Sequence, residues 1–133
     1  MSITYQCILA EAQRVGLNTG SEASQRTAVC RSYYAFYHAS LEYADKVSIP
    51  PVSDTCGPTH SKLRCYFMDS MHPDRPTRMK HKKIGYTLKR IHTLRVRADY
   101  FLDDVITAED AEATYLSCRE HIAEVEDLAK AAA

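Results

Sequence analysis

The sequence lacks the features that mark membrane proteins, disulfide-rich domains and several large enzyme classes. Its longest apolar run is only a few residues, which is too short to span a bilayer. It has four glycines and no tryptophan, and it contains neither a Gly-rich phosphate loop nor a Gly-x-Ser-x-Gly motif. Its five cysteines are odd in number and scattered, without the spacing of a zinc or redox motif. The 133 residues therefore predict one globular domain, 1–133, with reduced and mainly structural cysteines.

The chain begins MSITYQCILAEAQR, without the basic start and long apolar stretch of a signal peptide, so we expect a cytoplasmic protein.

Formal charge is zero over the whole chain but is divided into two blocks. The stretch from His72 to Arg97 contains nine Lys or Arg and one acidic residue. The stretch from Asp99 to the end contains ten acidic residues and two basic ones. The blocks carry net charges of about +8 and −8, which favours an anionic partner for the first block or head-to-tail association of the two. Two neighbouring helices with mutually attracting outer faces would explain the pattern equally well.

Apolar residues recur at helical spacing, and no stretch alternates convincingly at period two. A first short helix is predicted over residues 2–16, with Ile3, Cys7, Ile8 and Val15 available to one face. Gly16 and the stretch Asn18-Thr19-Gly20 are predicted to end it. A second runs from Ser21, its N-cap, to about Lys46, and the stretch IPPVSDTCGP ends it. Its predicted stripe consists of Cys30, Tyr33 or Tyr34, Tyr37, Leu41 and Ala44.

Three further helices follow. A short one begins near Thr59 or His60 and reaches Met71, and the stretch MHPDRPTR is predicted to be a loop. The fourth covers about Lys80 to Leu102, with Gly85 weakening its first turn. Thr107 and Asp110 form a capping-box pattern that opens the fifth, whose stripe is Ala111, Tyr115, Cys118, Ile122, Val125 and Leu128. The fold class is therefore all-α, an antiparallel bundle of four longer helices and one short helix.

Arg31 and His38 bracket the aromatic stretch RSYYAFYH. Seven residues are two helical turns, so the side chains share one angular position about 10.5 Å apart along the axis. An imidazole that moves a proton and a guanidinium that stabilises phosphate charge are the groups a metal-free ribonuclease needs. A core-facing histidine and a structural arginine are the simpler interpretation. The four aromatic residues between them are too many for one face, so some lie in the core and some at a dimer interface or a base-stacking surface; Tyr34 is the candidate for substrate binding.

The stretch LRVRADY places Arg95 and Asp99 four residues apart, where they can form an ion pair. Arg95, Arg97, Asp99 and Tyr100 are candidates to line an anionic site, and a purely structural role fits equally well. His60 lies at a helix start and is a candidate for substrate binding or for a polar cap. His72, His81, His92 and His121 have no metal-site spacing, so neither a metal nor a cofactor is expected.

These stretches resemble the HEPN superfamily. The similarity rests on RSYYAFYHA (31–39), on a Pro/Gly loop followed by His60-Ser61, and on LRVRADY (94–100) before an Ala-rich last helix. The resemblance implies a helical bundle that dimerises and, in many members, cleaves RNA without metal in toxin–antitoxin, CRISPR-associated or phage-defence systems. Their catalytic motif is an Arg followed after four to six residues by a His, which Arg31 and His38 satisfy. The best-known toxins carry that motif on a later helix, where this chain has LRVRADY without a histidine after its arginine.

Two functions follow from the resemblance. The first is an RNA- or nucleotide-binding homodimer that acts as an endoribonuclease, with His38 and Arg31 catalytic. The second is a non-catalytic module that partners another protein, such as an antitoxin or a nucleotidyltransferase.

Overall fold

The computed structural model describes residues 3–16 and 20–133, which form five α-helices and no strand. They are connected by loops, one of which contains a short 3-10 helix over Val52–Asp54. The helices are α1 (Tyr5–Gly16), α2 (Glu22–Val47), α3 (Thr59–Met68), α4 (Arg75–Tyr100) and α5 (Ala108–Ala132). The prediction of an all-α chain is confirmed. With 12 residues, α1 is closer in length to the 10-residue α3 than to the three long helices.

The core is built around α2, which contacts every other helix. The start of α2 lies beside the end of α4, where Arg26 donates hydrogen bonds to the carbonyls of Ala98 and Phe101. The far end of α2 lies beside the start of α4, where Tyr43 contacts His81. The two helices are therefore antiparallel, and aromatic rings of α2 supply much of the bulk of a core without tryptophan.

The fourth helix begins five residues earlier than predicted. Asp74 is its N-cap and accepts a hydrogen bond from the backbone N–H of Thr77, and Pro76 lies in the first turn, where a missing N–H costs nothing. The prediction that MHPDRPTR is entirely a loop was wrong from Arg75 onward, because Pro76 lies in the first turn of a helix that Asp74 caps. The end of the helix was also placed too late, since Phe101 and Leu102 lie beyond it and are exposed.

The caps of α2 and α5 and the α5 stripe are confirmed. Ser21 caps α2, and Thr107 with Asp110 forms a capping box. All six residues of the predicted α5 stripe are buried.

Predictions for the shorter helices were less accurate. Ile3 and Cys7 are exposed rather than on the packed face of α1, and α3 ends at Met68, which leaves Met71 exposed. Cys30 and Cys118 are buried, whereas Cys7, Cys56 and Cys65 are exposed and do not serve as core residues. The stretch Asn18-Thr19-Gly20, which is predicted to end α1, lies outside the described residues except for Gly20.

Gly85 lies in the middle of α4, where α3 approaches it closely. A Cβ atom there would lie 2.5 Å from Cγ of Met68 and 2.8 Å from its backbone nitrogen. This close approach positions α3, and with it His60 and Arg64, against α4.

Candidate functional site

One open cleft collects side chains from three helices. His38, Tyr34 and Tyr37 come from α2, while His60 and Arg64 come from α3. His92 comes from α4, and the cleft has a volume of about 480 Å³. We call this the histidine cleft. Three imidazoles and one guanidinium thus meet at a surface that small molecules or a polymer can reach.

His60 is the most tightly held imidazole of the cleft. Its Nδ1 shares a hydrogen bond of 2.6 Å with the Tyr33 hydroxyl, and Tyr33 itself is buried. The ring centre lies 4.7 Å from that of Tyr37 and 4.9 Å from that of His92. The proposed role of His60 as a polar cap was wrong, because Pro58 is the N-cap of α3 and no side chain caps it. These contacts instead fix the ring plane of His60. The hydrogen bond to Tyr33 uses Nδ1, so Nε2 is the nitrogen that a substrate could contact.

The electrostatics of the cleft favour the neutral forms of His60 and His92. Burial, and then the neighbouring charges of His92, Arg95 and Arg64, lower the pKa of His60. The pKa of His92 is lowered for the same reasons, with burial first and Arg64 and Arg95 next. A histidine that stays neutral at pH 7 can accept a proton from a substrate hydroxyl.

Arg95 lies beside the cleft, where its guanidinium interacts with other side chains of the protein. It donates a 2.8 Å hydrogen bond to the Tyr34 hydroxyl, and its guanidinium lies over the rings of Tyr34 and Tyr100. The predicted ion pair with Asp99 is present, with Nε 2.9 Å from Oδ2, although the N–H is not aligned for a hydrogen bond. Asp99 also accepts a 2.9 Å hydrogen bond from Cys30. Arg95 therefore orients Tyr34, and its positive charge reaches the cleft imidazoles.

The structure separates the other predicted site residues. Arg31 is exposed on α2 but does not line the histidine cleft. The pKa of Glu11 on α1 is lowered, mainly by the hydrogen bond from Arg14 and also by the positive charge of Arg31. Arg97 donates a 3.0 Å hydrogen bond to Asp104, away from the cleft. Of the eight predicted residues, His38, Tyr34 and His60 come together, with Arg95, Asp99 and Tyr100 in the layer behind Tyr34.

His92 and Arg64 belong to the cleft and were not predicted as site residues. His92 follows the buried Ile91 and lies three residues before Arg95, so helical spacing already placed it next to that arginine. Arg64 lies four residues after His60, on the same face of α3. Both signals were available in the sequence, but neither indicates that α2, α3 and α4 meet there.

A second histidine cluster lies near the C-terminal end of α2. His81 is buried and bonded to the Tyr43 hydroxyl at 2.7 Å and to the Ser70 hydroxyl at 2.8 Å. Burial and the nearby His72 lower the pKa of His81 to about 4. With both nitrogens occupied inside the protein, this imidazole joins α2, α4 and the loop between α3 and α4.

Comparisons of the chain with models of protein families, with curated proteins and with solved structures found no match. No helix within residues 3–16 and 20–133 is both long and apolar enough to cross a membrane. The same residues contain no group of three or more His, Cys, Asp or Glu placed to bind a metal ion.

Proposed function

We propose that the protein is an endoribonuclease that cleaves the RNA backbone in the histidine cleft without a metal ion. The observation that carries the proposal is the convergence of His38, His60 and His92 with Arg64 around one open cleft. Cleavage next to a 2′-hydroxyl needs a base, an acid and a cation near phosphorus, and these side chains provide all three.

Each step has a candidate residue. With the proton of its ring on Nδ1 and donated to Tyr33, His60 presents the lone pair of Nε2 and takes the proton of the 2′-hydroxyl. The 2′-oxygen attacks phosphorus, the bond to the 5′-oxygen breaks, and the exposed His38 donates a proton to that oxygen. Arg64 stabilises the charge on the phosphoryl oxygens. The products are a 2′,3′-cyclic phosphate and a 5′-hydroxyl.

This scheme keeps His38 as a proton-transfer residue and adds His60. It assigns phosphate stabilisation to Arg64, whereas the sequence pattern assigned it to Arg31. The resemblance to the HEPN superfamily, the homodimer and a role in a toxin–antitoxin or phage-defence module remain predictions.

The test is cleavage of a mixed-sequence RNA by purified protein in excess EDTA. We expect wild-type protein to cut, and we expect His38→Ala and His60→Ala each to lower the rate by about a hundredfold or more, as loss of a general acid or base does. His72→Ala is the matched control because His72 is exposed and outside the cleft. Intact RNA with folded wild-type protein would refute the proposal, as would equal rates for all three variants.

The second candidate is a non-catalytic module that binds another protein or a second copy of this chain. Its support is a group of exposed apolar residues after α4, where Phe101 is 52 %, Leu102 78 % and Val105 68 % exposed. Clustered exposed apolar side chains mark protein contacts. Sedimentation of the wild-type protein and of Leu102→Asp tests this function, which predicts an assembly that the substitution dissociates and no RNA cleavage.

A further inference from the structure

The outer face of α4 is a basic ridge. Its two rows of cations repeat every seven residues, so the members of each row recur at nearly the same angular position. One row is Arg75, Lys82 and Lys89, and the other is Lys83, Arg90 and Arg97. The stretch from Arg75 to Ala98 contains no acid. The buried residues of α4, such as Ile84, Leu88 and Ile91, lie on the opposite side.

A third row runs between the two basic rows and is partly aromatic. It consists of Met79, Tyr86, Thr93 and Tyr100, again at seven-residue steps. Tyr86 is 62 % and Tyr100 67 % exposed, although a tyrosine of a globular protein usually buries its ring. Exposed rings between rows of cations are what proteins use to bind single-stranded nucleic acid, with bases on the rings and phosphates on the cations.

The acidic block neutralises only part of this ridge within the molecule, because it pairs with two of the six cations in the two rows. Among the described residues, the single ion pair between α4 and α5 is that of Lys83 with Glu124, at 3.9 Å. Arg97 pairs with Asp104. Arg90 donates a hydrogen bond of 3.3 Å to the neutral hydroxyl of Ser117 on α5. In the described part of the chain, Arg75, Lys89 and Arg90 form no ion pair with an acidic side chain.

We propose that this ridge binds the backbone of single-stranded RNA. The choice of RNA rests on the proposed function; the ridge itself indicates only a polyanion with flat rings. Arg75 and Arg97 are 22 residues apart, about 33 Å along the helix axis, which accommodates several nucleotides. His92 on the same helix faces the histidine cleft, so the ridge holds a strand whose continuation can reach the cleft.

The experiment measures binding alone. The probe is a fluorescent 2′-O-methyl RNA of about 12 nucleotides, which lacks the hydroxyl needed for cleavage, so failure of catalysis does not affect the result. The ridge variant is the triple substitution Arg75→Gln, Lys89→Gln and Arg90→Gln. It leaves the ion pairs of Lys83 with Glu124 and of Arg97 with Asp104 intact. The control is Lys46→Gln, Arg119→Gln and Lys130→Gln, three exposed cations on α2 and α5 with the same total charge.

We expect the ridge variant to bind about a hundredfold more weakly at roughly 0.1 M salt and to lose about 2 from the slope of log affinity against log salt. Tyr86→Ala should weaken binding about tenfold, and the control triple should bind like wild type. Equal losses in both triples, or no loss in either, would refute a ridge-specific site. Absence of binding by wild-type protein, with an assembly that the ridge triple dissociates, would show that the ridge binds the acidic block of a second copy instead.

Discussion

Acidification should destabilise the protein through His81. Its pKa is lowered to about 4 in the folded protein, against about 6.5 for an exposed histidine. The unfolded chain therefore binds this proton first. The stability that neutral His81 provides is complete above pH 7 and is lost as pH falls from about 6.5 to 4.

The size of the effect follows from the two pKa values. At 1.36 kcal/mol per pKa unit, the loss approaches about 3 kcal/mol at pH 4 and is about 2 kcal/mol at pH 5. A loss of that size is a large fraction of the stability of a domain of this length. Burial is the main cause of the shift, since the ring is 3 % exposed and the hydroxyls of Tyr43 and Ser70 occupy both nitrogens.

Urea unfolding of wild-type protein and His81→Gln at pH 8 and pH 5 measures this contribution. The glutamine does not titrate, so its deficit in the free energy of unfolding should shrink by about 2 kcal/mol between the two pH values. The control, His72→Gln, changes an exposed ring and should keep most of the wild-type slope. A deficit independent of pH would refute the reasoning, as would an NMR titration of the His81 ring in folded protein with a midpoint near 6.5.

Three further predictions concern packing, a helix end and the cleft. Gly85→Ala should destabilise the protein by about 1 to 3 kcal/mol in urea unfolding, because its Cβ would meet Met68 at 2.5 Å; equal or greater stability would show that helix propensity outweighs the clash. Arg26→Gln should cost about 2 to 4 kcal/mol, because Arg26 donates to the carbonyls of Arg97, Ala98, Phe101 and Asp104 at the end of α4. Arg119→Gln on the exposed side of α5 is its control, and equal stability of the two variants would contradict that role. In the cleft, the lowered pKa of His60 should keep it a competent base at acidic pH, so the acid limb of kcat/KM for RNA cleavage should have its midpoint below 6.5. Arg64→Gln should move that midpoint upward, because the charge of Arg64 helps to lower the pKa of His60. An unchanged midpoint would show that Arg64 does not affect this pKa.

The fold was largely predictable because its signals are local. The α5 stripe and the Thr107–Asp110 box depend on spacing within one helix, and the structure contains both. The start of α4 was missed because Asp74 and Pro76 can open a helix as well as end one, and only the packing of the following residues decides between the two.

The candidate site was predicted only in part because it depends on contacts between helices. His38 and Tyr34 were found from the aromatic stretch, but their partners come from α3 and α4. The close approach that Gly85 permits, which brings these helices together, cannot be deduced from the spacing of apolar residues. Arg31 illustrates the same dependence on helix packing, since its spacing from His38 on one helix does not place it in the cleft.

The most direct test of the account is the chemistry of the RNA ends produced by purified protein in EDTA. The substrate is an oligonucleotide with one cleavage position, compared with the same oligonucleotide carrying a 2′-deoxyribose at that position. The proposed mechanism predicts a 2′,3′-cyclic phosphate from the first, no cleavage of the second, and cleavage by folded His60→Ala that is slower by about a hundredfold or more. Cleavage of the deoxy-substituted oligonucleotide, or full activity of His60→Ala, would contradict it.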